Sequence, residues 1–233
     1  MSTTAIILAG GTGIRFNSKE PKQFLEIGGK TLLEICLGRF QDHEGIDGIV
    51  LVCPEKYLVR ARKNALAYAK VRQVLAGGKT RQESSAIGVS AAAGAATVLI
   101  HDAARALVSP AVIDRVLAAL ASGDAVMPVL PAGDTIVRVD DSGLVTAVLD
   151  RGMLRRVQTP QGFRLNIIRQ AHELARREGF ADASDDCSLV LRYDLAPVVT
   201  VEGDAANIKI TYPEDMLMAE ALMKSQEHFK GKR

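Results

Sequence analysis

Four short apolar runs, Ala5–Leu8, Ile49–Val52, Val98–Ile100 and Val126–Leu130, are spread along the 233-residue chain, and none alternates apolar with polar residues. Runs of that kind suit strands buried on both faces. Between them the apolar residues change period. Leu32, Leu33, Ile35, Cys36 and Phe40 share one helical face, and Leu58, Ala61, Ala65, Leu66 and Ala69 share another. Val112, Ile113, Val116, Leu117 and Leu120 form a third stripe, with Ser109 and Pro110 in N-cap and first-turn positions. Strands alternating with helices predict an α/β chain: a mostly parallel sheet with helices on both faces, and ligands beyond the carboxyl ends of its strands. With 48% apolar residues the chain can bury a large core, and no repeat or linker divides it, so residues 1–233 read as one domain.

The first run leads into Ala9-Gly-Gly-Thr-Gly13, with Arg15 and Lys22 close behind. Gly10, Gly11 and Gly13 free the backbone to present N–H groups to an anion, and the two cations add full charge. An ordinary glycine-rich turn has the same spacing. Better-known phosphate motifs fail. Gly29-Lys30-Thr31 and Gly78-Lys79-Thr80 each lack the earlier P-loop glycine, which is Phe24 in one case and Gln73 in the other. The dinucleotide fingerprint fails at Phe16, where a small residue is needed for close packing.

Two further segments stand at strand ends. His101-Asp102-Ala-Ala-Arg105 follows the run 98–100; adjacent strand residues face opposite ways, so His101 reads as a packed or backbone-bonded histidine. Asp102 is placed to hold a divalent cation or a substrate hydroxyl, with a helix cap as the plain alternative. Gly77-Gly-Lys-Thr-Arg81-Gln-Glu-Ser84 follows the run 71–75, and Arg81 and Ser84 suit helix capping, nucleobase contact or both. Spacing favours capping.

The alternation breaks at 134–150, where two short strands flank Asp141-Ser142-Gly143. Such a hairpin is either an edge extension or an arm that grips another subunit. Arg151, Arg155 and Arg156 follow it, a cluster usual for solvated surface.

Charge is nearly balanced, with 29 Lys+Arg against 27 Asp+Glu, and Trp is absent, so neither a global basic field nor a stacking platform for nucleic acid is expected. Cys36, Cys53 and Cys187 are scattered and lack metal-ligand spacing, which argues against disulfides or zinc and for a reducing cytoplasm. No apolar run nears membrane-spanning length. A G-x-S-x-G elbow is missing, so acyl transfer has no obvious nucleophile.

In order, Ala9-Gly-Gly-x-Gly-x-Arg15, Pro21-Lys-Gln23, Gly77-Gly-x-x-Arg81, His101-Asp-Ala-Ala-Arg105, Asp134-Thr135, Asp150-Arg151, Gln158-Thr-Pro-Gln161 and Asn207-Ile-Lys209 closely resemble the 2-C-methyl-D-erythritol 4-phosphate cytidylyltransferases of the non-mevalonate isoprenoid pathway. The likeness runs from about Ala5 to Leu222. It implies a Rossmann-like, GT-A-like nucleotidyltransferase fold and transfer of CMP from CTP to a sugar-alcohol phosphate, with Mg²⁺ and release of pyrophosphate. It also implies a homodimer, the hairpin at about 134–155 being an arm that completes the partner's site.

Carried over by position, the resemblance makes Arg15 and Lys22 catalytic. Ala9, Gly10, Gly11, Gly13, Gly78, Arg81 and Ser84 would bind CTP, and Asp102 would hold Mg²⁺ or substrate. Arg105, Thr135, Arg151 and Lys209 would hold the alcohol phosphate. No general base is required, because a phosphate monoester with a second pKa of about 6 is mostly dianionic at neutral pH.

Departures exist. Ala106 stands where proline is usual, which predicts a less rigid loop around Arg105, and Ala206 offers no metal contact where an acid is common. Ribitol 5-phosphate cytidylyltransferases share several of these motifs but tend to have valine at the position of Ala104, and their Asp-Ala-Cys-Lys segment is unmatched by Asp185-Asp-Cys-Ser188. From other classes, a dinucleotide-dependent oxidoreductase is opposed by Phe16 and by Val52-Cys53-Pro54, which lacks the expected acid. A non-catalytic nucleotide-binding module fits poorly with both Arg15 and Lys22.

Overall fold

The computed structural model describes residues 2–10 and 20–230, with side chains to 225. Gly11, Gly13 and Arg15 lie outside the described residues.

In chain order the elements are β1 (Thr3–Leu8), β2 (Glu26–Ile27), β3 (Lys30–Thr31), α1 (Leu32–Gln41), β4 (Gly48–Cys53), α2 (Leu58–Ala65), β5 (Val71–Ala76), α3 (Arg81–Ala91), β6 (Thr97–Asp102), α4 (Pro110–Ala119) and β7 (Ala125–Pro131). There follow β8 (Val137–Val139), β9 (Val145–Val148), β10 (Arg155–Val157), β11 (Gln161–Arg164), α5 (Leu165–Glu178), α6 (Asp186–Arg192), β12 (Val198–Glu202) and α7 (Pro213–Lys230).

The main sheet runs β10-β7-β11-β6-β1-β4-β5, with β12 added to β7. β5, β4, β1 and β6 are mutually parallel, and β12 is parallel to β7. β10 and β11 are antiparallel to their neighbours. This is the mostly parallel sheet expected. The apolar runs are its centre: every residue of β4 and β6 is buried, and in β1 only Thr4 is partly exposed.

Alternate residues of these strands feed two cores. Ala5, Ile7, Ile49, Leu51 and Leu99 pack with residues of α1, α2 and α4 on one face, whereas Ile6, Leu8, Val50, Val52, Val98 and Ile100 meet residues of α3, α5 and α6 on the other. α3 lies close to the sheet because Gly88 has no side chain; a Cβ there would stand 2.3 Å from Ile6 Cγ2.

The first and third apolar stripes hold. α1 buries Leu32, Leu33, Ile35, Cys36 and Phe40 and is opened by a capping box between Thr31 and Glu34, a feature stabilising by about 1 kcal/mol. α4 buries Val112, Ile113 and Val116 behind Pro110 in its first turn, and its cap Ser109 makes no side-chain cap bond. The second stripe holds only in part. α2 ends at Ala65, so the turn that would have carried Leu66 and Ala69 inward is missing, and Leu66 is 85% exposed.

Residues 134–150 do form a hairpin, with strands shorter than the sequence predicts. β8 and β9 pair only with each other around Gly143 (φ +83°) and stand apart from the main sheet. Val137, Val139, Leu144, Val145 and Val148 are all exposed on it.

Candidate active site

The carboxyl ends of β1 and β6 are adjacent and in register, with Leu8 opposite Asp102, and β4 lies on the other side of β1. Backbone bonds carry the pairing onward: Ala103 N–H donates to Leu8 O at 2.9 Å, Ala9 N–H to Val52 O at 2.8 Å, and Gly77 N–H to Cys53 O at 2.8 Å. Three loops are thereby brought to one edge. They bound a cleft of about 210 Å³ whose lining includes Gly10, Lys22, Gly78, Arg81, Ser84, Asp102 and Lys209.

Asp102 is central. Its Oδ1 accepts from Arg81 Nε at 3.1 Å and its Oδ2 from Lys209 Nζ at 2.7 Å. Arg81 also reaches the buried Asp186, donating from Nη1 to Oδ2 at 2.8 Å. Burial alone would raise the Asp102 pKa, but Arg81 and Lys209 overcome it and hold the carboxyl well below the usual range. Asp186 behaves likewise: burial is outweighed by Arg81 and by hydrogen bonds, and its pKa falls to about 2. Burial opposes charge on Arg81 too, and the two carboxylates reverse that and raise it. All three groups are ionised at neutral pH.

The loop before α3 is closed on itself. Thr80, not Arg81 or Ser84, is the helix cap, its Oγ1 accepting from Glu83 N at 3.0 Å. That corrects the expectation from spacing: one position earlier, the cap leaves Arg81 as the first helical residue with its guanidinium free to cross to Asp102. Ser84 Oγ donates to Thr80 O at 2.9 Å and accepts from Gly78 N at 3.2 Å, shaping the glycine turn. Gly78 must be small, since a Cβ there would lie 2.3 Å from Glu83 Cβ.

Lys22 opens a short 3₁₀ turn after Pro21 and donates from Nζ to Ile210 O at 2.9 Å. Gln23, buried beside it, donates to Ala9 O at 2.9 Å and so ties this turn to the end of β1. Ile210 N–H in turn donates to Ala104 O at 2.9 Å, which brings Lys209 against the β6 loop.

Gln158-Thr-Pro-Gln161 organises the surroundings rather than lining the cleft. Thr159 Oγ1 accepts from Asp102 N at 3.1 Å and lies 3.0 Å from His101 Nδ1, while His101 Nε2 lies 3.1 Å from Arg105 O. A carbonyl can only accept, so Nε2 carries the proton and Nδ1 accepts from Thr159. His101 is the packed, backbone-bonded histidine that strand geometry predicts; burial lowers its pKa to about 4 and keeps it neutral. Gln158 Nε2 donates to Asp204 O at 2.8 Å, and Asn207 Nδ2 to Thr159 O at 2.8 Å, which fixes the Asn207–Lys209 segment. Gln161 Oε1 accepts from the backbone N–H groups of Asp186 and Cys187, both at 3.1 Å.

Arg105 donates to Asn207 O at 2.8 Å and to Val157 O at 3.1 Å, and its own amide donates to Asp102 O at 2.9 Å. Ala106, which follows Arg105, is fully buried.

Thr135 and Arg151 are exposed on and beside the hairpin, and neither lines the cleft. Arg151 Nη1 lies 3.3 Å from Gly133 O. Arg155 and Arg156 are exposed, as the sequence predicts for that cluster.

Among the described residues no group of three or more His, Cys, Asp or Glu side chains gathers at metal-binding spacing. Asp102 is the carboxylate lining the cleft. A carboxylate offers about four lone-pair sites, of which Arg81 and Lys209 occupy two. A lone carboxylate suits Mg²⁺, which usually takes one or two from the protein and the rest of its shell from phosphates and water. The donor set therefore fits Mg²⁺ arriving with a polyphosphate. No described helix is long and apolar enough to cross a membrane.

The sequence model of the 2-C-methyl-D-erythritol 4-phosphate cytidylyltransferase family matches residues 3–225. A protein of that name from Thermobifida fusca is 41% identical over 231 residues, covering 95% of this chain and 93% of its own. A ribitol-5-phosphate cytidylyltransferase from Vibrio parahaemolyticus is 36% identical over 233 residues, covering 97% and 98%. The crystal structure of a 4-diphosphocytidyl-2C-methyl-D-erythritol synthase from Anaerococcus prevotii resembles this fold with a TM-score of 0.85 at 29% identity, across 96% of this chain and 98% of that one.

Proposed function

The chain belongs to the 2-C-methyl-D-erythritol 4-phosphate cytidylyltransferase family, and from that membership and the cleft we propose that it transfers CMP from CTP to 2-C-methyl-D-erythritol 4-phosphate. The products are 4-diphosphocytidyl-2-C-methyl-D-erythritol and pyrophosphate. The observation that carries the reading is one cleft at the carboxyl edge of a parallel sheet, lined by Lys22, Arg81 and Lys209, the last two of which hold the buried carboxylate of Asp102. A site rich in fixed cations and poor in bases suits phosphoryl chemistry between two anions.

An oxygen of the alcohol phosphate attacks the α-phosphorus of CTP, forming a P–O bond. The bond from that phosphorus to the bridging oxygen of the β-phosphate breaks, and pyrophosphate leaves with the electron pair. No proton need be abstracted, which agrees with a neutral His101 turned into the fold. Lys22 and Arg15 stabilise charge developing on the triphosphate. Ala9, Gly10, Gly11 and Gly13 offer it backbone amides, and the narrow wall of Gly78 and Ser84 admits a pyrimidine. Arg105 and Lys209 hold the alcohol phosphate. Mg²⁺, held by Asp102 and phosphate oxygens, would neutralise part of the triphosphate charge.

Thr135 and Arg151 act in this scheme from the second subunit's arm. A two-stranded hairpin is marginal by itself, and contiguous exposed apolar side chains mark interaction surfaces. The exposed Val137, Val139, Leu144, Val145 and Val148 support a homodimer built through the arm.

Ribitol 5-phosphate is the second reading, favoured by the Vibrio relative. Ala104, which lines the cleft in place of the usual valine of those enzymes, leaves more room there and supports the branched alcohol. The test is pyrophosphate release with a panel of nucleoside triphosphates, with the product identified by ³¹P NMR. CTP should be used far better than ATP, GTP or UTP, and use of a purine nucleotide would sink the assignment.

A further inference from the structure

We propose that Asp186 is a positioning residue of this reaction centre, acting through Arg81, an inference that rests on the cytidylyltransferase reading of the cleft. Asp186 is 1% exposed and absent from the cleft lining, so it cannot touch substrate. Its carboxylate is nevertheless gripped from several sides. Oδ2 accepts from Arg81 Nη1 at 2.8 Å; Oδ1 accepts from Ser85 Oγ and lies 3.3 Å from His172 Nε2. Its backbone N–H is bound by Gln161 Oε1 at 3.1 Å.

A guanidinium is a rigid planar fork. With Nη1 fixed on Asp186 and Nε on Asp102 Oδ1, the plane of Arg81, a residue that lines the cleft, is determined. The same bond sets the rotation of the Asp102 carboxylate, whose second oxygen holds Lys209. Lys209, Asp102, Arg81 and Asp186 thus form one row of alternating charge from the cleft into the core. Removing the inner charge lets Arg81 swing wholly onto Asp102 and disturbs the outer pair. Asp186 is 105 residues from Arg81 in the chain and 25 from Gln161, so three separate segments cooperate to place one guanidinium.

The experiment compares the wild type, Asp186→Asn, Arg81→Ala and the double variant. kcat/KM is read by pyrophosphate release from CTP and methylerythritol phosphate, and Arg81 Nε–H exchange by NMR without ligands. Asp186→Asn should lower kcat/KM about tenfold, a size that coupling between contacting charged groups reaches, yet change it less than about twofold when Arg81 is already Ala. A structural role alone would cost activity equally in both backgrounds, and that outcome overturns the proposal. An inert wild type would instead remove the functional reading. The NMR arm still decides the positioning: the Arg81 Nε–H should exchange slowly in the wild type and at least about tenfold faster in Asp186→Asn. Unchanged exchange overturns the proposal whatever the activity. Should Asp186→Asn fail to fold, Ser85→Ala keeps the charge and removes one bond to the carboxylate. It should speed the same exchange, and no change there counts against the proposal equally.

Discussion

Lys209 Nζ donates to Asp102 Oδ2 at 2.7 Å across 107 residues of sequence, joining the loop before α7 to the end of β6. The pair is half open to the cleft: the Lys209 side chain is 42% exposed and that of Asp102 only 10%. Lys209→Ala therefore leaves Asp102 dependent on Arg81 and takes a cation from the proposed phosphate site. The expected result is a rise of about tenfold or more in KM for the alcohol phosphate, with a lowered melting temperature because a buried carboxylate loses one of its two cations. Steady-state kinetics and a thermal melt check both halves.

His101 makes a prediction about pH. Burial lowers its pKa to about 4 in the folded chain, and an unfolded histidine titrates near 6.5. Between those values the unfolded chain binds a proton that the folded chain does not. The contribution of His101 to stability is therefore full above about pH 6.5 and falls by about 3 kcal/mol as pH drops to about 4. Urea unfolding at pH 7 and pH 4.5 should show a smaller loss in His101→Gln than in the wild type, and equal losses would contradict the account.

Lys22 lies in a turn tied to the end of β1 by Gln23, and its own Nζ is bonded to Ile210 O, so Lys22→Ala removes that tie along with the charge. If its charge serves the transition state, Lys22→Ala should reduce kcat by about a hundredfold while KM for CTP stays within about threefold. A variant that loses CTP affinity at unchanged kcat would give Lys22 a binding role instead.

The arm makes a prediction that needs two chains. Arg151→Ala and Lys22→Ala homodimers should each be impaired. In a reassociated equal mixture, half the dimers are mixed, and each has one site with both residues intact if Arg151 serves the opposite subunit. Activity should return to about a quarter of wild type. No recovery would place Arg151 in its own subunit's site or outside the mechanism.

Much of the scaffold is legible from the sequence because its signals are local. Unbroken apolar runs mark β1, β4, β6 and β7, and the stripes of α1 and α4 lie within single helices, save for Leu120 at the α4 C-cap. Leu66 is misread because periodicity continues past the point where α2 stops. The Thr80 cap is misplaced because several candidates crowd one turn, and only geometry selects among them. Motif order singles out Asp102, Arg81 and Lys209, which the fold brings to one cleft, but the sequence is silent on how they are joined. The bonds from Arg81 to Asp186, from Gln161 to Asp186 and from Thr159 to Asp102 span 105, 25 and 57 residues and leave no local period. Gln158-Thr-Pro-Gln161 is visible as a motif, and its work as a scaffold for three loops appears only in three dimensions.

The central claim is most directly tested by following pyrophosphate release from CTP and Mg²⁺ with methylerythritol phosphate and ribitol 5-phosphate in parallel. A kcat/KM at least about a hundredfold higher for methylerythritol phosphate is the predicted result. Preference for ribitol 5-phosphate, or release with neither alcohol, would contradict it.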